Sequence, residues 1–174
     1  PRTWPSTLPA VGSIAAWQEV VVGAEIGGQR LSRLLVDVGD TVRKGQLLAE
    51  LSPGPLQAQL DASRAALREA QVMADDAARS AARALELRDS GLMSRQSIDQ
   101  AVAARDAARA RLAAARAQVE ADAMRLGYAR ILAPDDGVVS ARAAVEGALV
   151  QEGAELLRLQ RQGRLEWRAE VPAA

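Results

Sequence analysis

The chain has no cysteine, no histidine and no phenylalanine, and its aromatic residues are Trp4, Trp17, Tyr128 and Trp167 alone among 174 residues. Each absence removes a class of chemistry. Without Cys or His there is no thiol nucleophile, no Cys/His zinc site and no histidine general base. With so few rings, a large core anchored on aromatic side chains is excluded. Charge of one sign is lacking too: 22 basic and 22 acidic residues give a formal net charge of zero. A general nucleic-acid surface needs a basic stripe to displace counterions, so no nucleic-acid partner is expected. No run approaches the roughly 18 apolar residues of a membrane span, and there is no signal-peptide apolar core. What is present is Ala, Leu and Val, with Ala at about a fifth of the chain, far above ordinary usage.

The most informative feature is a repeat. Val36-Asp37-Val38-Gly39-Asp40-Thr41-Val42-Arg43-Lys44-Gly45-Gln46-Leu47-Leu48-Ala49-Glu50-Leu51 aligns with residues 144–159. Gly39 falls on Gly147, Val42 on Val150, Gly45 on Gly153, Leu48 on Leu156 and Leu51 on Leu159, all at one offset of 108. Each copy reads as strand, glycine turn, strand, with Leu34, Val36 and Val38 alternating onto one face. Gly39, Gly45, Gly147 and Gly153 sit where a tight turn wants positive φ. One copy cannot bury its apolar face alone, so the two are expected to pack as a small sandwich. Gly28 to Gly39 is one residue longer than Gly137 to Gly147, which predicts a bulge or slip in the first copy.

Between the copies lie helical residues. From Leu56 the apolar or small positions step 4-3-4-3 through Leu60, Ser63, Leu67, Ala70, Ala74, Ala77, Ala81 and Ala84, a heptad seam. Pro55 suits a first helical position, and the helix should end near Ser90-Gly91, with Gly91 as a left-handed cap. A second helix starts after Ser94 as N-cap and ends at Gly127. Its seam, Ile98, Ala101, Arg105, Ala108, Leu112, Ala115, Val119, Asp122 and Leu126, carries polar intrusions. A connection this short lays the arms antiparallel, each reaching roughly 50 Å. The fold class expected is α+β, a split β sandwich with an inserted long antiparallel helical hairpin.

The ends read as extended chain, Pro1 to Trp17 leading into Glu19-Val20-Val21-Val22 and residues 164–171 alternating apolar and polar. The last strand either awaits a partner in a further domain or pairs with the Trp17 segment; both can hold together.

These residues carry a resemblance. The Val36–Leu51 stretch, the Leu126–Val139 stretch with Ala133-Pro134-Asp135-Asp136-Gly137, and the heptad insertion between them resemble the periplasmic adaptors, or membrane fusion proteins (HlyD-like), of bacterial tripartite efflux and secretion pumps. The resemblance covers residues 20–159. It implies a lipoyl-like barrel-sandwich hybrid with half 1 at 20–52, hairpin at 53–127 with its tip at 88–94, and half 2 at 128–160. Residues 1–19 and 161–174 would adjoin a β-barrel domain. It implies a non-catalytic, periplasmic, inner-membrane-associated role, with no cofactor and no metal. The partners implied are a TolC-like outer-membrane channel, an inner-membrane RND or ABC transporter, and further copies of the chain, as a hexamer in the assembled pump. The family's tip signature (Arg, three residues, Leu, six residues, Ser) matches Arg83, Leu87 and Ser94. These would meet the channel through hydrogen bonds and one apolar contact, and Arg88 is a rival cation. Taken singly, Ser94 is an N-cap, Leu87 packing and Arg83 a solvated charge.

Three rivals weigh less. Carrier domains share the sandwich but attach lipoate or biotin to a Lys at the turn between halves; here the helices replace that turn and the single lysine is Lys44. An enzyme would need partners for Asp135-Asp136 or Asp75-Asp76, and none is evident. Direct handling of soft metals would need clustered Met, whereas Met73, Met93 and Met124 lie far apart and read as core or gap-filling.

Overall fold

The computed structural model describes residues 11–88, 92–161 and 165–170. The described chain divides into two compact units, one built from 1–52 with 130–174, the other from 53–129.

The first unit holds the repeat. Strands β2 (Glu19–Gly23), β3 (Gln29–Leu34), β4 (Thr41–Val42) and β5 (Leu47–Leu51) come from the first half. Strands β6 (Arg130–Leu132), β7 (Gly137–Arg142), β8 (Leu149–Val150) and β9 (Glu155–Arg161) come from the second. Each half therefore contributes four strands rather than two. The halves do not form one sheet each: the sheet orders are β2-β9-β7-β4 and β6-β5-β3-β8, so every sheet takes two strands from each half. The core is aliphatic, as the scarcity of rings requires. Leu31, Leu48, Leu51, Leu157, Leu159, Val42 and Val139 are fully buried, each stabilising the fold by roughly 1.5–3 kcal/mol.

The offset of 108 reappears in the hydrogen bonds. Gly39 N–H donates to Val139 and Gly147 N–H to Leu31; Leu35 N–H donates to Leu48 and Ala143 N–H to Leu156. The expected slip needs refinement. A register shift between Leu31 and Arg33 has a twin between Val139 and Ala141, so it belongs to both halves. No residue is extra: β3 and β7 begin at the same offset of 108, so Gly28, at φ +78°, corresponds to Asp136 and not to Gly137. The Leu34–Val38 strand is corrected: β3 ends at Leu34, and Val38 is exposed. The chain leaves the ladder because Asp40 Oδ2 accepts from Asp37 N–H and Asp37 Oδ1 from Val38 N–H, a turn built by side chains.

Two further strands, β1 (Val11–Ala16) and β10 (Leu165–Glu170), pair antiparallel with Ile14 opposite Trp167. The last strand thus finds a partner just before Trp17. A Cβ at Gly12 would meet the Trp167 indole, which explains the glycine there.

The second unit is a hairpin of α1 (Gly54–Glu86) and α2 (Arg95–Gly127), 33 residues each. Every seam position named from the heptad pattern is buried or half-buried, from Leu56 to Ala84 and from Ile98 to Leu126. Arg116 Nη2 donates to Gln71 Oε1 at 3.1 Å and marks the antiparallel level of the two helices. The seam of α2 is harder to see because Ala103, Ala107, Ala110, Ala114 and Ala117 lie exposed on its other side. Three boundaries shift. Pro53 caps α1, so Pro55 is its second residue. α1 stops at Glu86, where Arg88 N–H reaches Leu85 in a tightened last turn; Ser90 and Gly91 lie outside the described residues. Gly127 remains helical, and Tyr128 caps α2 in the right-handed region.

Candidate functional site

Arg83 and Leu87 stand in the last turn and at the C-cap of α1, and Ser94 is the N-cap of α2. Arg83 and Leu87 are one helical turn apart, so both lie on the same side of α1. Arg83 is exposed, and its Nη2 donates to Ser80 Oγ at 3.1 Å. Leu87 caps α1 with its N–H on the Arg83 carbonyl at 3.2 Å, and its side chain is 41 % exposed. Ser94 is extended (φ −71°, ψ 149°), and its Oγ accepts from Ser97 N–H at 3.2 Å while lying 2.9 Å from Ser97 Oγ. The hydroxyl oxygen thus satisfies a helix-end donor. An exposed leucine and an exposed guanidinium at the end of α1 offer apolar and charged surface to another protein.

Leu92 was missed by the sequence reading. It is 79 % exposed, more than Leu87. The signal available was its place two residues before the N-cap, outside both seams. The rival cation Arg88 is also exposed.

The other singled-out residues hold turns. Gly39, Gly45, Gly147 and Gly153 have φ of +95°, +78°, +83° and +76°. Lys44 follows Arg43 in the β4–β5 turn, and its backbone N–H donates to Asp136 Oδ1 at 2.7 Å. Asp135 Oδ1 accepts from Asp136 N–H, and its Oδ2 pairs with Arg161 Nε. The Asp136 amide and then the Arg161 guanidinium hold the Asp135 carboxyl below the usual carboxylate range. These acids staple a turn onto β9. Asp75 accepts from Gln71 and Asp76 pairs with Arg79, both along one helix face. Met73 and Met124 are not core, being more than half exposed because they fall beside the seams, whereas Met93 is half-buried. Among the described residues no helix is long and apolar enough to cross a membrane.

The family model for the barrel-sandwich hybrid domain of RND membrane fusion proteins matches residues 18–159. The chain is 34% identical over 150 residues to the efflux pump periplasmic linker BepD of Brucella suis biovar 1 (strain 1330), covering 86% of this chain and 38% of that protein. It is 31% identical over 145 residues to the multidrug resistance protein MdtE of Escherichia coli (strain K12), covering 83% of this chain and 37% of that one. The crystal structure of MacA from Actinobacillus actinomycetemcomitans superposes with a TM-score of 0.78 at 25% identity, covering 92% of this chain and 56% of that chain. The chain therefore spans little more than a third of the length of these curated relatives.

Proposed function

This chain belongs to the RND membrane fusion protein family, and we propose that it is the part of a periplasmic efflux adaptor that links an inner-membrane transporter to an outer-membrane channel. Relatives named for a periplasmic efflux linker and for multidrug resistance support the class of role, and the family's part in efflux is that of a linker rather than a catalyst. The observation that supports the bridging role is the hairpin itself: two 33-residue helices, with Arg83 and Leu87 exposed at the end of the first and Ser94 capping the start of the second. An arm of this length, about 50 Å at 1.5 Å per residue, is a spacer with a recognition end.

On this reading the guanidinium of Arg83 seeks carbonyls or carboxylates on the channel's end, and Leu87 fills an apolar site between them. Several copies, six in the assembled pump, lie with hairpins side by side. The balanced charges along the arms suit lateral pairing, and exposed pairs of that kind contribute only about 0–1 kcal/mol each. Assembly is therefore salt-sensitive and completed by the partners. The transporter is of the RND class, in line with the family; an ABC or type I secretion partner is the second reading. The protein is expected to be associated with the inner membrane.

Arg83→Glu and Leu87→Asp, placed in the full-length protein with its own transporter and channel, test this. Drug resistance should be lost while circular dichroism and the melting temperature stay as in the parent. Unchanged resistance, or loss of helicity in both variants, would remove the tip from the interface. These 174 residues hold no cysteine, so Gly91→Cys gives a single crosslinking site within them, which should capture the channel.

A further inference from the structure

The hairpin seam contains a buried charged residue that nothing above accounts for. Asp122 is 2 % exposed, in a line of Ala, Val and Leu side chains on α2. Its Oδ1 accepts from Gln118 Nε2 at 3.1 Å, one turn back on the same helix. Its Oδ2 is buried with no hydrogen-bond partner among the described residues. Counting six residues on from Arg116 and six back from Gln71 brings Asp122 level with Ala65, within a turn of Ser63. Ser63 is the other buried polar side chain among the described residues, but its hydroxyl donates to the Leu60 carbonyl at 2.9 Å, back along α1.

A buried carboxylate oxygen without a donor keeps its whole desolvation cost, because no contact inside the protein replaces the water it lost. Separating the helices at this level returns that water. Elsewhere the seam is mostly apolar, and its polar members already have partners, Ser63 on the Leu60 carbonyl and Arg105 on Asp106, so separation there returns little. We propose that the two helices part first at the Asp122 layer, giving the hairpin a built-in point of local opening near the end where the chain enters α1 and leaves α2. Such an opening lets the rod splay or bend there while the remaining seam stays closed. It concerns motion within the hairpin and holds whether or not the tip meets a channel.

Hydrogen exchange followed by mass spectrometry on the whole chain tests the proposal, comparing the parent with Asp122→Ala and with Glu120→Gln as a control for net charge. Alanine suits the site, since Ala101, Ala108 and Ala115 already occupy this seam. Peptides covering 116–127 and 58–66 should exchange about tenfold more slowly in Asp122→Ala, the scale of removing an unsatisfied buried group. Peptides between 70 and 80 should be unchanged, and Glu120→Gln should match the parent. Equal or faster exchange in Asp122→Ala overturns the proposal. So does a loss of helicity in that variant, which would show the carboxylate to hold the helices together, and so does equal slowing by Glu120→Gln.

Discussion

The Gly39 amide donates to the Val139 carbonyl at 2.9 Å, across one hundred residues of sequence. The bond joins the two halves, and its twin from Gly147 to Leu31 at 2.8 Å joins them again in the opposite sense. Turn glycines in this unit therefore act on the pairing of the halves and not just on their own hairpins.

Two glycine substitutions should differ for a stated reason. Gly39 has φ +95° and open space around a would-be Cβ, so Gly39→Ala bears backbone strain alone, roughly 1–2 kcal/mol. At Gly137 a Cβ would meet the Gln160 carbonyl oxygen on the neighbouring strand. Backbone must move there, and Gly137→Ala should cost more. Urea denaturation ranks the two; the reverse order would contradict the account.

Small residues of the second half leave room beside its core. Ala143, Ala144, Ala148 and Ala154 line a half-open groove of about 190 Å³ beside Leu156. Ala144→Val should be neutral or stabilising by up to about 1 kcal/mol, since it fills existing space. Ala49→Val, at a fully buried site, should destabilise by roughly 1–3 kcal/mol through overpacking. Thermal melts of the two variants side by side provide the check.

Acid should loosen the Asp135 staple. Its folded pKa is depressed by the Asp136 amide and the Arg161 pair. The stabilisation is therefore complete above the unfolded aspartate value of about 3.9 and fades as pH falls through the lower folded value. Asp135→Asn should melt below the parent at neutral pH, and the gap should close in acid, once the pH lies below the depressed folded value. A gap that persists there would assign the effect to something other than the ionised carboxylate.

Ser94 serves the fold before any partner. Ser94→Ala should destabilise the hairpin by about 1 kcal/mol, whereas Ser94→Asp keeps an N-cap acceptor and should melt as the parent does. If Ser94→Asp nonetheless abolishes resistance in cells, the hydroxyl has a second role at the tip. If it supports resistance fully, capping is its whole contribution.

Much of the hairpin could be read before the structure. All nine seam positions on α1 and all nine on α2 are buried or half-buried, because a heptad is a local period that ridge-to-groove packing must obey. The end of α1 was less legible: Ser90-Gly91 reads as its stop, while the helix closes in a tightened turn at Leu87-Arg88. In the candidate site, Arg83, Leu87 and Ser94 were singled out by the resemblance to the family's tip signature, whereas the exposure of Leu92 belongs to the structure alone.

The linear chain by itself determined the twofold repeat at an offset of 108, the turn glycines and the apolar stripe of each helix, since each is specified by residues near one another. Only the tertiary structure decided that β2 and β4 would join β7 and β9 in one sheet, that Val38 would turn to solvent, and that one oxygen of Asp122 would be buried without a donor. The reason is that strand ladders and buried polar contacts are made between residues far apart in the chain, and a local pattern states what a residue needs without stating which distant residue will supply it.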